Sequence, residues 1–206
     1  MEDDRSEVSD GLYMTVDQYL ALDEATDGKY EYLDGYAFML RPPSSLYDDR
    51  AVSDTAMLNM AEGSVAHAAL CAHLAWVLSS ALADSPCMIY SGDVRLKLAE
   101  RRYVYADMTV VCSEQAGAML TDPVVVVEVL SPPTEQRDRG AKLSAYTASP
   151  TVQEYVLIGS AYKAIEVHRR DGTSWRRDQY HEGDMVELKS LGVSFPFDEV
   201  YRRMPL

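Results

Sequence analysis

Two carboxylates stand in positions where ionised groups are costly. Glu128 interrupts the apolar run that begins at Val124 and continues through Val129 and Leu130, and Asp107 sits among the β-prone residues of Tyr103–Cys112. A charge desolvated in such a strand does not persist alone, so Glu128 must be protonated, paired with a cation or bound to a metal. A structural salt bridge, or a place at an exposed strand end, accounts for Glu128 taken by itself equally well. Asp107 shifts that balance, because it precedes Glu128 by about one strand and one connection. Two neighbouring strands can therefore bring both acids to the same edge of a sheet. Paired carboxylates repel unless something positive lies between them, and Mg²⁺ or Mn²⁺ is the usual solution, Mg²⁺ taking oxygen ligands at about 2.0–2.1 Å with waters completing the shell.

Other residues could join such a centre, each with a plainer reading beside it. Lys142 and Asp138 lie four apart after Glu128. At that spacing they form either a surface ion pair worth a few tenths of a kcal/mol or an ammonium placed over a metal. Glu31, in Lys29-Tyr30-Glu31-Tyr32-Leu33-Asp34-Gly35, is either an exposed hairpin residue or a further carboxylate ligand. His67 opens a long helix. His73 lies near that helix's apolar stripe and is read as structural. Trp76, Tyr146 and Tyr155 read as core aromatics rather than platforms for stacking bases.

The elements that must position these residues follow from the patterning. Residues 14–25 predict a short helix with Thr15 as N-cap, and Asp34-Gly35 between two β-prone runs predicts a hairpin. Residues 41–63 hold two prolines and mixed charge with no sustained periodicity. They read as an irregular insertion, with one helical turn near Thr55–Met60. Leu70, Leu74, Val77, Leu78, Ala81 and Leu82 share one stripe of a helix over 65–83 that Ser85-Pro86 ends. Strands are expected at 87–98, 103–112 and 124–130, the last apolar on both faces as a central strand should be. A helix from Ser131 to about Ala148 comes next, then strands at 152–159, 163–170, 174–181 and 184–189, with Asp171-Gly172 as a hairpin turn. The order implies an α/β fold with one mixed sheet, helices packed on it and a β-rich C-terminal extension. Residues 1–13 read as a disordered acidic tail and 14–206 as a single domain.

Composition limits the partners. The 206 residues carry 19 basic and 33 acidic side chains, a formal net charge of −14. That excludes loose, charge-driven binding to nucleic acid, which needs Lys and Arg to displace counterions, yet leaves room for a metal-neutralised carboxylate cluster. No apolar run approaches the roughly 20 residues of a membrane helix. The acidic N-terminus lacks the order of a signal peptide, so a cytoplasmic protein is expected. Cys71, Cys87 and Cys112 lack zinc-site spacing and read as buried free thiols.

Five segments occur in an order that resembles the bacterial Uma-two family of restriction-endonuclease-like proteins in the PD-(D/E)xK nuclease superfamily. They are Lys29–Gly35, Tyr105-Ala106-Asp107-Met108, Asp122–Pro132, Asp138-Arg139-Gly140-Ala141-Lys142 and Glu154-Tyr155-Val156-Leu157. The resemblance spans roughly residues 14–200. It implies a restriction endonuclease-like fold and a Mg²⁺- or Mn²⁺-dependent nuclease. Asp107, Glu128 and the Val129 backbone carbonyl would be the metal ligands, with Lys142 and Glu31 also catalytic, and His67 and Asp138 as accessories. The superfamily's usual lysine two positions past the glutamate is Leu130 here, and Lys142 matches the family's displaced lysine. Ala106 replaces the family's usual proline. The substrate implied is nucleic acid, with DNA expected, and the assembly implied is a homodimer. A catalytically silent scaffold or regulatory assembly module is the alternative.

Overall fold

The Thr15 hydroxyl accepts the Gln18 N–H while the Gln18 side chain accepts the Thr15 N–H, a capping box that starts the first helix where the sequence predicts it. The computed structural model describes residues 11–44, 64–132 and 134–204. In chain order its elements are β1 (Leu12–Tyr13), α1 (Val16–Ala25), β2 (Lys29–Leu33), β3 (Tyr36–Arg41), α2 (Val65–Ala81), β4 (Met88–Ser91), β5 (Arg95–Ala99), β6 (Arg102–Val104), β7 (Met108–Val111), β8 (Met119–Leu120) and β9 (Pro123–Leu130). There follow α3, which joins Glu135–Arg137, a π turn at Asp138–Lys142 and Leu143–Ala148, then β10 (Glu154–Gly159), β11 (Ile165–Asp171), β12 (Ser174–Tyr180), β13 (Met185–Leu188), β14 (Val193–Pro196) and α4 (Phe197–Val200).

The described residues form two compact units, 11–44 with Ala99–Val104 and 64–98 with the described residues from Tyr105 onward. In the smaller one, β1, β3, β2 and β6 pair antiparallel in that order. Asp34 and Gly35 take positive φ at the β2–β3 turn, as the Asp-Gly signal requires. Tyr19, Tyr32 and Tyr103 form its centre, with ring centroids 5.0 and 5.4 Å from Tyr19. Leu12 and Tyr13, expected to end the acidic tail, instead pair with Ala37 and Tyr36. Residues 1–10 of that tail and most of the irregular stretch at 41–63, including the turn expected near Thr55–Met60, lie outside the described residues.

The larger unit is built on a six-stranded sheet of order β12-β11-β10-β9-β7-β4. Only β9 and β10 run parallel, joined by α3, while the other neighbours are antiparallel. Both faces of β9 are buried, as its unbroken apolar run implies. Leu70, Leu74, Val77 and Leu78 of α2 pack with Val125, Val127 and Val129 of β9, Val156 and Ile158 of β10, and Phe195 and Phe197 near the C-terminus. β5 and β8 pair in parallel, and β13 with β14 antiparallel. The mixed α/β architecture flanked by few helices is thus as the sequence implies, though the described strands divide among more than the one sheet expected.

Several boundaries differ. The strand expected over 87–98 divides into β4 and β5, because the chain turns at Gly92-Asp93, where a side chain on Gly92 would meet the Ala106 carbonyl at 3.2 Å. The strand expected over 103–112 divides into β6 and β7. Trp76, read as core, is 55% exposed on the outer face of α2. Cys87 and Cys112 are not free thiols but a disulfide. They flank the directly paired Met88 and Val111, a juxtaposition that their separation in sequence conceals. Cys71 alone stays free and half-buried. Among the described residues no helix is long and apolar enough to cross a membrane.

Candidate active site

Strand alternation decides which way Glu128 points. Val125, Val127 and Val129 enter the core beneath α2, so Glu128 projects from the opposite face of β9. It is buried to 3% exposure, and the side chains that meet it come from α3. Lys142 Nζ donates to Glu128 Oε1 at 2.9 Å and Tyr146 Oη donates to the same oxygen at 2.8 Å. Lys142 also donates to the Tyr105 carbonyl at 2.8 Å and lies 3.5 Å from Asp138 Oδ1. Asp138, Lys142 and Tyr146 recur every fourth residue, and the π turn covers the first two of them. Such wide turns recur at functional sites.

The break between β6 and β7 presents Asp107, which therefore sits just before a strand rather than within one. Backbone groups freed by the break find side-chain partners, as buried polar groups must. Asp107 Oδ2 accepts the Val129 N–H at 2.7 Å, the Asp107 N–H reaches Glu128 Oε2 at 3.4 Å, and Lys142 takes the Tyr105 carbonyl. Asp107 and Glu128 are thereby tied together, with Lys142 against the second of them. His67 arrives from the first turn of α2, where the Ser64 hydroxyl accepts its N–H. Its Nε2 lies 3.3 Å from Asp107 Oδ2, and Cys71, one turn further on, places Sγ 3.6 Å from His67 Nδ1.

The electrostatics are those of a site short of positive charge. Burial pushes the Glu128 pKa up to about 8, since the attraction of Lys142 is opposed by Asp107 and Asp138. Burial acts upward on Asp107 as well, but the hydrogen bond and charge of His67, with the Val129 N–H and Lys142, hold it below the ordinary carboxylate value. The hydrogen bonds to Asp107, then Cys71, push His67 up to about 10. Three acids face one lysine and one histidine, and a divalent cation would supply what is missing. The carboxylates of Asp107 and Glu128 suit an oxygen-preferring ion. Asp107 keeps a quarter of its side chain exposed, whereas Glu128 keeps almost none.

Of the residues singled out in the sequence, Asp107, Glu128, Val129, Asp138, Lys142 and His67 come together. Glu31 belongs to the smaller unit, fully buried on β2 opposite Phe38. His73 hydrogen-bonds the Glu199 carbonyl at 2.7 Å, the structural place expected for it. Tyr146 and Cys71 have no site role in the sequence reading. Tyr146 stands four residues after Lys142, and Cys71 four after His67, so helical spacing was the available signal for both. The C-terminal arginines are largely engaged with acids: Arg169 with Glu154 and Asp178, Arg176 with Asp178, Arg177 with Glu166.

A model of the Uma2 family, described as "Putative restriction endonuclease", matches residues 49–198. An uncharacterised protein of Synechocystis sp. is 30% identical over 194 residues, covering 92% of each chain. A second protein of that organism is 26% identical over 165 residues, covering 77% of this chain and 82% of its own. The fold resembles the crystal structure of a "putative nuclease belonging to DUF820" from Anabaena variabilis, with a TM-score of 0.67 over 92% of this chain and 98% of that one. At 17% identity that likeness concerns the fold alone.

Proposed function

We propose that this chain, which belongs to the Uma2 family, is a nuclease that hydrolyses phosphodiester bonds of DNA with Mg²⁺ or Mn²⁺ as cofactor. The observation that carries this reading is the meeting of two acids, Asp107 and Glu128, with the buried amine of Lys142. Asp107, Glu128 and the Val129 carbonyl would hold the ion. When bound, the ion lowers the pKa of a water and offsets charge gathering on the phosphate oxygens. Lys142 favours the ionised form of Glu128 and orients the attacking water. Tyr146 holds the same carboxylate oxygen as Lys142, leaving Glu128 Oε2 toward Asp107. Asp138 steadies Lys142, and His67 pairs with Asp107 at the partly open edge a phosphodiester can approach. Glu31 lies before the matched stretch and enters only through the motif resemblance, so its contribution is tested apart, with Glu31→Ala. Assembly as a homodimer is proposed by analogy with nucleases of this fold.

The test is cleavage of labelled DNA with Mg²⁺ or Mn²⁺, beside Asp107→Ala. Activity in the wild type and its loss in the variant are expected, whereas equal activity in both defeats the assignment. One observation favours a silent scaffold instead: the charge of −14, with much of the C-terminal arginine already paired to acids. Calorimetric titration with Mn²⁺ separates the two. The nuclease binds the ion and loses binding in Glu128→Ala, and a scaffold shows no binding in either.

A further inference from the structure

We propose a second metal position beside the first, formed by His67, Cys71 and Asp107, that takes Zn²⁺ or another thiophilic transition-metal ion. The donor atoms of these three side chains all lie within 4.8 Å of one another. His67 Nε2 is 3.3 Å from Asp107 Oδ2 and 4.0 Å from Cys71 Sγ. Zinc bonds of about 2.0–2.3 Å to nitrogen, oxygen and sulfur imply tetrahedral edges of roughly 3.3–3.8 Å. The nitrogen–oxygen edge meets that range, the nitrogen–sulfur edge lies just beyond it, and the oxygen and sulfur are no more than 4.8 Å apart.

The scaffold behind these donors is ordered before any ion arrives. His67 and Cys71 stand one turn apart on the same face of α2, the usual relation of two ligands drawn from one helix. The Ser64 cap fixes the turn that carries His67, and the Val129 N–H fixes the Asp107 oxygen. The donor set decides the class of ion. Mg²⁺ and Mn²⁺ favour carboxylate, carbonyl and water, whereas thiolate with imidazole selects zinc and its soft neighbours. Coordination takes the thiolate and the neutral imidazole, so binding releases to solvent both the Cys71 thiol proton and the proton that His67 carries beside Asp107 as the sulfur–metal and nitrogen–metal bonds form. Three protein ligands leave a fourth position for water, the arrangement of an open zinc site rather than a closed structural one. Asp107 is shared with the nuclease centre but Glu128 is not a ligand here, so Glu128→Ala separates failure of this site from failure of the nuclease reading.

Cobalt(II) reports on it directly, because a thiolate bound to Co²⁺ produces a near-ultraviolet charge-transfer band that oxygen and nitrogen ligands do not. Cys71 is the one cysteine outside the disulfide. Titration of the full chain with Co²⁺, without thiol reductant, should raise that band to saturation at one equivalent, and Zn²⁺ should abolish it. The band should persist in Glu128→Ala and in Cys87→Ser/Cys112→Ser, and vanish in Cys71→Ser. His67→Gln, a variant that spares the cysteine, should weaken Co²⁺ binding at least tenfold. Absence of the band in the wild type, its survival in Cys71→Ser, its loss in Glu128→Ala or in the double cysteine variant, or unchanged affinity in His67→Gln would each overturn the proposal.

Discussion

Lys142 is the residue on which the buried acids depend. Its ammonium serves Glu128, the Tyr105 carbonyl and Asp138 from a position only 7% exposed. Removing one member of a buried ion pair strands the other. Lys142→Met should therefore destabilise the chelator-treated protein by about 3 kcal/mol, near the lower end of what such a deletion costs because Glu128 can take up a proton instead. Tyr146→Phe removes a single hydrogen bond to the same carboxylate and should cost less, about 1–2 kcal/mol. Urea unfolding in EDTA measures both, and a Lys142→Met protein as stable as the wild type would show that the lysine does not compensate these acids. Glu128 and Asp107 were legible in the sequence for a reason tied to energetics, since an acid inside an apolar strand needs an explanation, whereas Lys142, whose spacing from Asp138 fits a plain surface ion pair, was reached only through the family resemblance. Cys71 was passed over although it stands one helical turn after His67, since three cysteines in apolar surroundings look alike until a register joins two of them.

At the scale of elements, the π turn and the end of β10 make opposite predictions for glycine. A Cβ on Gly140, in the middle of the turn, meets nothing within 4 Å, whereas a Cβ on Gly159 presses on the Tyr162 carbonyl. Gly140→Ala should raise stability by up to about 1 kcal/mol through helix propensity, and Gly159→Ala should lower it by about 1–3 kcal/mol through overpacking. Thermal unfolding of both variants checks the contrast, and a destabilised Gly140→Ala would mean that the wide turn itself needs glycine. On β11, burial holds the His168 pKa below its ordinary value. The folded protein thus binds this proton less readily than the unfolded chain does, so the stability His168 contributes is present above about pH 6.5 and is lost as pH falls through the lower folded value. Between pH 7 and pH 5 the wild type should lose more stability than His168→Gln, and parallel pH profiles would refute the assignment. Helix starts, the Asp-Gly hairpins and the central strand were readable because local chemistry fixes them. The breaks at Gly92-Asp93 and Tyr105–Asp107 were not. At Tyr105–Asp107 the chain leaves the ladder where side chains distant in sequence, Lys142 foremost, satisfy the backbone instead, and at Gly92 it turns against the Ala106 carbonyl, a neighbour that only folding supplies.

The whole molecule poses the question of how an acidic protein meets a polyanion. The α/β class could be inferred from the order of helices and strands, but the division into two units could not, because pairing between remote segments such as Leu33 with Arg102 leaves no local signature. Charge placement was equally hidden until folding set Arg169, Arg176 and Arg177 against Glu154, Asp178 and Glu166. Arginines held this way have few counterions to displace from a nucleic acid. Each phosphate neutralised contributes about −0.9 to the slope of log affinity against log salt for duplex DNA. If the proposed metal-dependent action on DNA holds, the chain should therefore show a shallow slope, on the order of two or three phosphates, and binding that disappears when the ion is chelated. Fluorescence anisotropy with a hydrolysis-resistant phosphorothioate duplex, across a salt series with and without Mn²⁺, measures both properties. A steep slope that survives EDTA would mean that lysines and arginines gather against phosphate after all, and that recognition of DNA by this chain is electrostatic rather than metal-led.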